Sequence, residues 1–445
     1  MNLPTWLEKL TDLTFQKIPA SGIYHFANQQ EDSKNRIHLR VESDGNGLLM
    51  VNAARAYHLN PSASAMAFWY LNGQTEPQMT HALKRNFQVS SSQASSDISE
   101  FINQISVIAD PQEACVVCDL DLDMDLPFSH TPSAPYRMDL ALTYRCNNDC
   151  THCYNARIRS YPELQTKDWF RIIDMLWDIG IPHIVFTGGE PTLRNDLPDL
   201  IAYAQNKGQI AGINTNGRKL ANRDYLRKLV DAGLDHIQIT LESVDAGIHD
   251  AMVNRRGAWV KTVEGIKNTV AEELYMMTNT TMLTTNVDTI PATLDFLAEL
   301  NVPTVGLNAL IHSGKGREVG TGLREEALES ILDMAREKTT RNNQKLIWYT
   351  PTEYCKFNPI TNELGVKGCT AALYNMCIEP DGAVLPCQSY YQPLGNILQN
   401  SWETIWNHDL SLQLRNRQYL PGKCQDCELA RECGGGCPLI FIDTD

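Results

Sequence analysis

Two periods of hydrophobic residues alternate between residue 136 and about residue 340. Short apolar runs with the spacing of strands are separated by amphipathic segments with the spacing of helices. The strand candidates are RMDLALTY, HIVFTGGE, IAGINTNG, HIQITLES, LYMMTNTTML and TVGLNAL. The helical segments lie near 166–179, 194–207, 221–232, 258–272 and 289–300. Six such units predict an α/β fold with a parallel sheet, whose ligands gather at the carboxyl ends of the strands.

The first 110 residues follow a different pattern. GIYHFAN, RIHLRVE and GLLMVN have the composition of short strands. Helical patterns follow at 62–71, 76–86 and 97–106, separated by Asn72-Gly73 and by the serine-rich QVSSSQASS. This order predicts a small winged helix-turn-helix-like domain over 1–110. Residues 111–134, with the acidic alternation DLDLDMDL and a Pro/Ser-rich stretch, read as a linker or an exposed edge strand.

Charge narrows the function classes. The chain of 445 residues has a net charge of -15, which disfavours a nucleic-acid binder. The winged-helix-like domain carries 8 Lys and Arg against 10 Asp and Glu, so it lacks the basic face that DNA requires. The N-terminus lacks the apolar stretch of a signal peptide, and no run of 18 apolar residues occurs. We therefore expect a cytoplasmic protein without a membrane partner.

The 13 cysteines are clustered rather than dispersed. Two stand at 115 and 118, three at 146–153, and eight between 355 and 437. Without an export signal a disulfide framework is disfavoured, and thiolates at short spacing suit zinc or iron–sulfur clusters. Cys115 and Cys118 have the spacing of half a zinc site but no second pair nearby, so we interpret them as incidental linker cysteines.

The most informative cysteines follow the first predicted strand of the parallel sheet. Cys146, Cys150 and Cys153 can hold one face of a cubane and leave its fourth iron open for chemistry. A zinc site completed by His152 would use the same segment. Gly188-Gly189-Glu190-Pro191 ends the second strand, and Thr215-Asn216-Gly217 ends the third. Together these motifs resemble the radical S-adenosylmethionine superfamily.

The resemblance implies a partial (β/α)6 TIM-like barrel over 135–340 and a [4Fe-4S] cluster whose open iron chelates S-adenosylmethionine. In that family an electron from the cluster cleaves the cofactor to a 5′-deoxyadenosyl radical, which abstracts hydrogen from the substrate. The catalytic ligands would be Cys146, Cys150 and Cys153. A low-potential electron donor such as ferredoxin or flavodoxin is implied as a partner.

Contacts to the cofactor are also implied by the resemblance. The GGEP motif would hold the methionyl ammonium, Tyr154 would lie near adenine, and Arg255 or Arg256 would pair with the methionyl carboxylate. Polar residues at the end of the fourth strand would contact ribose or carboxylate, and the end of the third strand resembles the family's TNG element. The sixth strand would touch adenine through backbone and apolar contact. These residues are Thr215, Asn216, Thr240, Glu242 and the range 305–307.

The C-terminal cysteines, over 341–445, resemble the SPASM extension that binds auxiliary [4Fe-4S] clusters. By that resemblance Cys369, Cys387 and Cys437 belong to one cluster, and Cys424, Cys427 and Cys433 to the other. The family pattern has one further downstream cysteine, which this sequence lacks. Cys355 and Cys377 are the candidates to compensate, and one or two auxiliary clusters remain possible.

The N-terminal domain suggests the substrate. The segment from LLMVN to QISVI resembles the peptide chaperone of pyrroloquinoline quinone biosynthesis, a fold that binds a leader peptide as an added strand. The resemblance implies a radical enzyme that modifies a ribosomally made precursor peptide. A dimerisation or packing domain is the alternative reading. Other functions in view are modification of tetrapyrrole side chains in the haem pathway, maturation of a residue in another protein, and a non-enzymatic iron–sulfur scaffold.

Overall fold

The computed structural model describes residues 17–30, 33–52, 55–108, 132–155, 157–272 and 274–441. The linker residues 111–131, with Cys115 and Cys118, lie outside these ranges. The chain divides into two compact units, 1–125 and 126–445. No helix among the described residues is long and apolar enough to cross a membrane.

The N-terminal unit is an antiparallel meander of four strands followed by three helices. The strands are β1 (Gly22–Gln30), β2 (Ser33–Val41), β3 (Gly47–Val51) and β4 (Arg55–Leu59), in that spatial order. The helices are α1 (Pro61–Leu71), α2 (Glu76–Asn86) and α3 (Ser91–Ile108). Three strands followed by three helices were predicted, whereas β4 was not.

The core of the N-terminal unit joins its sheet to its helices. Leu39 and Leu49 from the strands pack with Trp69 of α1, Leu83 of α2 and Ile98 of α3, all nearly or fully buried. The serine-rich segment, predicted to separate two helices, instead contains the first turns of α3. The Ser90 hydroxyl accepts a hydrogen bond from the Gln93 amide at 3.2 Å, as a helix cap does.

The second unit is built on a ten-stranded sheet, of which eight neighbouring strands run parallel. The six predicted strands are present. They are β5 (Arg137–Thr143), β6 (His183–Gly188), β7 (Ile210–Thr215), β8 (His236–Thr240), β9 (Tyr275–Thr281) and β10 (Thr304–Asn308). Their connecting helices are α4 (Thr166–Ile179), α5 (Leu197–Lys207), α6 (Arg223–Asp231), α7 (Ala246–Met252), α8 (Ala258–Ala271) and α9 (Ile290–Glu299). The predicted partial (β/α)6 barrel is confirmed, with α7 as an additional helix.

The sheet continues past the sixth strand. After α10 (Leu328–Arg341), β11 (Lys345–Trp348) pairs parallel with β10. On the other side β12 (Asn375–Ile378) pairs parallel with β5, and β13 (Ala383–Leu385) and β14 (Gly395–Asn396) follow antiparallel. The short helices α11 (Trp402–Trp406), α12 (Asp409–Arg415) and α13 (Ala430–Cys433) complete the cysteine-rich region. The cysteine-rich region therefore shares one continuous sheet with the barrel, through β12, β13 and β14.

Side chains alternate along the barrel strands between an apolar and a polar face. Leu140, Phe186, Ile213 and Ile239 belong to the large core that includes residues of the surrounding helices. Many of the intervening positions carry polar side chains: Asp139, Thr187, Asn214, Gln238, Thr240, Asn279 and Asn308. The barrel is therefore sealed on its helical side, and its polar face is available for a ligand.

Candidate functional site

The loop that carries Cys146, Cys150 and Cys153 leaves the carboxyl end of β5. All eleven cysteines in the described ranges are free of disulfides. Burial raises the pKa of Cys146 and, more strongly, of Cys150, and the Cys153 thiol adds to both effects. The Cys153 amide donates to the carbonyl of Cys150 at 3.3 Å, so the three cysteines share one compact loop. A set of neighbouring free thiols on one loop fits thiolate ligation of an iron–sulfur cluster, whose positive iron would favour the deprotonated form.

The backbone of this cluster loop is fastened to the structure around it. At the C-terminal end of α7, the Asp149 amide donates to the Val253 carbonyl at 3.0 Å and the Thr151 amide to the Met252 carbonyl at 2.9 Å. On another side the Lys315 amide donates to the carbonyl of Cys153 at 2.9 Å. Arg159 donates to the carbonyl of Asn148 at 3.3 Å. The thiols are thus presented by a backbone held at several points.

Gly188 and Gly189 are required by contact with the cluster loop. Gly188 has a φ of 134°, and a Cβ there would lie 2.1 Å from the carbonyl oxygen of Thr143. A Cβ on Gly189 would lie 2.4 Å from the carbonyl oxygen of Arg145. The Gly189 and Glu190 amides donate to these same two carbonyls at 2.7 and 2.9 Å. The close approach expected of these glycines is therefore an approach to the chain's own cluster loop.

Glu190 is a buried acceptor for donors of its own chain. One carboxylate oxygen accepts from the hydroxyls of Thr192 and Thr215, each at 2.6 Å, and from the Thr192 amide. The other accepts from the Asn216 amide at 2.8 Å. Burial raises the pKa of Glu190 despite these bonds. The carboxylate thus joins the ends of β6 and β7, while Pro191 begins the short 3-10 turn Pro191–Leu193.

Asn216 brings the end of β7 against the cluster loop. Its side-chain Nδ2 donates to Asn147 Oδ1 at 2.6 Å and lies 4.0 Å from the sulfur of Cys146. Two arginines bind the same part of the loop: Arg218 donates to Asn148 Oδ1 at 2.9 Å, and Arg255 Nε donates to the Asn147 carbonyl at 3.0 Å. The structure therefore places Arg255 on the loop backbone.

Glu242, after β8, is paired with a histidine of the cluster loop. Its Oε1 lies 2.9 Å from His152 Nε2, and its Oε2 accepts from the Thr281 amide at 2.9 Å. Burial opposes a charge on His152, but the Glu242 carboxylate outweighs it and raises the pKa of His152. Thr240 lies half-buried two residues earlier, on the polar face of β8 and in register with Asn279.

Tyr154 points toward the C-terminal cysteine region. Its hydroxyl donates to Gln388 Oε1 at 3.0 Å, one residue after Cys387, and burial raises its pKa. Val305 and Leu307 belong to the core beneath the helices, so the apolar contact expected from their side chains is wrong, whereas the expected backbone contact stays a prediction. Only Gly306 between them lies on the polar face.

Polar atoms without partners lie at the carboxyl ends of β9 and β10. Within the described residues, Asn279 Oδ1 and Asn308 Oδ1 are buried and accept no hydrogen bond. Buried amide oxygens are costly unless something donates to them. They fit a bound polar molecule on the inner face of the barrel, on the same edge of the sheet as the cysteine loop.

The C-terminal cysteines form two groups. Burial raises the pKa of Cys369, Cys387 and Cys437, that of Cys387 to about 12, and the Cys369 thiol adds to the shift of the other two. Cys424 and Cys433 form a second group, in which the thiols of Cys427 and Cys355 add to the effect of burial. The division of these cysteines between two clusters, which the resemblance implied, stays a prediction.

Cys377 belongs to neither group of three. It lies in β12, fully buried against Ala141, Tyr144 and Leu385, and its thiol donates to the Ile378 carbonyl at 3.7 Å. Burial raises its pKa well above the usual range, and Asp139, Glu379 and Cys387 add to the shift. Its thiol therefore lies at the junction of the barrel and the auxiliary region.

Sequence reasoning missed several residues that hold the site. Arg218 directly follows the Thr215-Asn216-Gly217 motif, a position that could have indicated it. Arg157 gave no such signal: its guanidinium donates to both oxygens of the fully buried Glu379 at 2.7 and 2.9 Å. That partner is 222 residues away in the chain.

A parallel (β/α) barrel with three clustered thiols after its first strand defines a class: an enzyme that binds an iron–sulfur cluster at the carboxyl edge of its sheet. The radical SAM superfamily model matches residues 140–297, and an iron–sulfur cluster-binding domain model, SPASM, matches 369–428. The Fe-coproporphyrin III synthase of Methanosarcina barkeri is 30% identical over 324 residues, which cover 66% of this chain and 81% of that protein. The chain belongs to the radical S-adenosylmethionine superfamily.

Solved structures show the same fold. SuiB of Streptococcus suis bound to the precursor peptide SuiA matches 94% of this chain and 96% of its own, with a TM-score of 0.70 and 16% identity. The enzyme anSMEcpe with bound AdoMet matches 68% of this chain and 86% of its own, with a TM-score of 0.55 and 16% identity. The protein is thus a radical S-adenosylmethionine enzyme with auxiliary iron–sulfur binding, and S-adenosylmethionine and [4Fe-4S] clusters are its cofactors.

Proposed function

We propose that this enzyme modifies a ribosomally made precursor peptide. The observation that carries the proposal is the N-terminal unit of strands followed by helices, which precedes the radical barrel in the sequence. A structural match over 94% of the chain necessarily includes most of that unit, and the matched SuiB structure was solved with its precursor peptide. The barrel alone would leave the substrate undefined, because many chemistries share it.

When bound, the cluster and S-adenosylmethionine supply reductive cleavage of the cofactor and abstraction of a hydrogen atom from the substrate. The residues of the chain itself would hold and orient these two cofactors. Cys146, Cys150 and Cys153 would ligate the cluster, and the backbone at Gly189 and Glu190 keeps their loop against β6. Asn279, Asn308 and Thr240 would offer polar contacts to the cofactor from the inner face of the barrel.

The N-terminal unit would capture the leader of the peptide along an edge of its sheet. In the described part of this unit, β1 and β4 are the outer strands of the meander. An edge strand offers unpaired main-chain groups to an added strand, and side-chain pockets supply specificity. Tyr24 and Phe26 on β1, and Tyr57 and Leu59 on β4, are half-buried and pack against the core.

Proline substitutions in the full-length chain test leader capture. Along an edge strand, successive N–H groups point alternately toward the paired strand and toward the free edge. Of two adjacent residues, one therefore has an N–H that the sheet does not use, and proline is tolerated there. The pairs Tyr57→Pro and His58→Pro on β4, and His25→Pro and Phe26→Pro on β1, cover both edges. At one edge, the variant that keeps the wild-type melting temperature should bind a labelled candidate precursor at least tenfold more weakly. Unchanged affinity in the folded variants of both edges would contradict leader capture.

Modification of a tetrapyrrole side chain is the second candidate. It is favoured by the 30% identity to an Fe-coproporphyrin III synthase, although that alignment leaves a third of this chain unmatched. Reduced holoenzyme, S-adenosylmethionine and either a candidate precursor peptide or an iron tetrapyrrole would be incubated anaerobically and examined by tandem mass spectrometry. A peptide product that requires S-adenosylmethionine supports the proposal, whereas a changed tetrapyrrole with unchanged peptide would replace it with the second candidate.

We further propose that an acidic low-potential electron carrier such as flavodoxin or ferredoxin docks beside the cluster loop. A cavity of 640 Å³ lies there, and Asn147 of the loop contributes to its wall. The cavity is lined by one acidic side chain, Asp224, and by four basic side chains: Arg218, Lys219, Arg223 and Lys261. A local basic surface on a chain with a net charge of -15 favours an acidic partner at this place.

A further inference from the structure

We propose that Cys355 is the fourth ligand of the auxiliary cluster held by Cys424, Cys427 and Cys433. Cys355 lies outside the segment 369–428 that the iron–sulfur domain model covers. The proposal concerns metal binding by this chain's own residues and does not depend on the identity of the substrate.

The backbone before Cys355 is bonded directly to the sulfur of Cys433. The Tyr354 amide donates to Cys433 Sγ at 3.3 Å, and the same thiol donates to the Thr352 carbonyl at 3.6 Å. Amide donors to sulfur are typical of the surroundings of iron–sulfur clusters, where they tune the potential. Cys355 is the next residue after that amide, so its side chain starts beside Cys433.

Two further contacts fix the segment 352–355 against the region of the other three cysteines. Lys423, next to Cys424, pairs with the buried Glu353 at 2.7 Å. A Cβ built on Gly436 would lie 3.2 Å from the Glu353 amide nitrogen, so these backbones touch. The backbone of 352–355 therefore lies against the segments that carry Cys424 and Cys433.

Cys377, the other candidate, is differently placed. It is fully buried in β12 and packs against Ala141 of β5. Cys355 and Cys427 are exposed, and Cys424 is partly exposed. Cys377 therefore serves as the matched control: it is also outside the two groups of three that the family pattern defines, but it lies in the barrel sheet.

Alkylation of the wild-type holoenzyme tests the assignment without a variant. Iodoacetamide should leave Cys355 unmodified in the anaerobically reconstituted protein, together with Cys424 and Cys427, although Cys355 is exposed. After the iron is removed by a chelator, all three should be alkylated, as read by peptide mass spectrometry. Alkylation of Cys355 in protein whose Cys424 and Cys427 remain protected would overturn the proposal.

Variants then identify the cluster. Cys355→Ala should lose between one and about four irons per chain, because a cubane holds four, and should alter the same electron paramagnetic resonance signal as Cys424→Ala. Cys355→Ser should retain more iron than Cys355→Ala with a shifted signal, because a serine oxygen can ligate iron, a result that a packing role would not give. The proposal would be refuted if Cys355→Ala kept the iron content and spectra of the wild type. It would also be refuted if that signal were lost in Cys377→Ala but not in Cys355→Ala.

Discussion

Glu190, Glu242 and Glu379 are buried carboxylates whose oxygens accept from the chain itself. Glu190 joins two strand ends, Glu242 holds His152 of the cluster loop, and Glu379 binds Arg157. Buried charges are tolerated only where donors surround them. At this scale the charged residues around the cysteines hold neighbouring segments of the chain together. We propose that the cofactor instead contacts backbone groups and the polar inner face of the barrel.

Gly189→Ala should disrupt the cluster loop. The added Cβ would lie 2.4 and 2.6 Å from the carbonyl oxygens of Arg145 and Tyr144, so the loop must move. We expect a stability loss of about 1–3 kcal/mol and at least a tenfold fall in 5′-deoxyadenosine formation. Gly422→Ala is the matched control, since nothing lies within 4 Å of its added Cβ. Equal activity of the two variants would show that the close approach at Gly189 is unimportant.

His236 predicts a pH dependence of stability. Burial, with the nearby charge of Arg137, lowers its pKa to about 3, from an ordinary value of 6.5. Below pH 6.5 the unfolded chain takes up a proton that the folded chain refuses, so the unfolding free energy falls as pH falls. This contribution has a slope of about 1.4 kcal/mol per pH unit. Denaturant titrations between pH 8 and 5.5 should show a shallower slope for His236→Gln, and parallel slopes would contradict the assignment.

At the scale of elements, local order was predictable and long-range association was not. The six barrel strands and the loop after the first were evident from periodicity and cysteine spacing. By contrast β11 and β12 have four residues each, too few for a periodic signal, and parallel pairing with β10 and β5 joins them to the barrel strands. The grouping of Cys355 with Cys433 depends on packing between segments about 80 residues apart, which spacing cannot reveal.

The connection after the cluster loop is clamped to the turn after β12 by an ion pair. Arg157 binds the fully buried Glu379, and Tyr144 and Tyr161 also donate to it, at 3.1 and 3.4 Å. Arg157→Leu would leave this carboxylate without its counter-ion, at a cost of about 3 kcal/mol of unfolding free energy. Arg171→Leu, which removes an exposed partner 3.9 Å from Asp168, should cost under about 0.5 kcal/mol. Similar losses in the two variants, measured by anaerobic denaturant unfolding, would argue against the clamp.

For the whole molecule, the proposal combines a capture domain, a radical barrel and an auxiliary iron–sulfur region in one chain. The first is described as a separate compact unit, whereas the last two share one continuous sheet. We therefore expect defects in the N-terminal sheet edges to weaken peptide binding while cleavage of S-adenosylmethionine without peptide continues.

The basic cavity predicts a charge-dependent encounter with the electron carrier. Lys261→Glu reverses an exposed charge on its wall and should lower turnover with flavodoxin severalfold at low salt, because steering depends on local charge. Lys267→Glu, an exposed position on the same helix outside the cavity lining, is the control. With dithionite as reductant both variants should match the wild type. An equal effect of the two substitutions with flavodoxin would contradict docking at this cavity.

The most direct test of the account replaces the three cysteines of the cluster loop together. Cys146→Ala, Cys150→Ala and Cys153→Ala in one chain should abolish formation of 5′-deoxyadenosine from S-adenosylmethionine under dithionite. The same protein should keep its auxiliary iron, about eight irons per chain if two cubanes are present and about four if one is. Formation of 5′-deoxyadenosine by the triple variant at the wild-type rate would contradict the assignment of this loop as the radical centre.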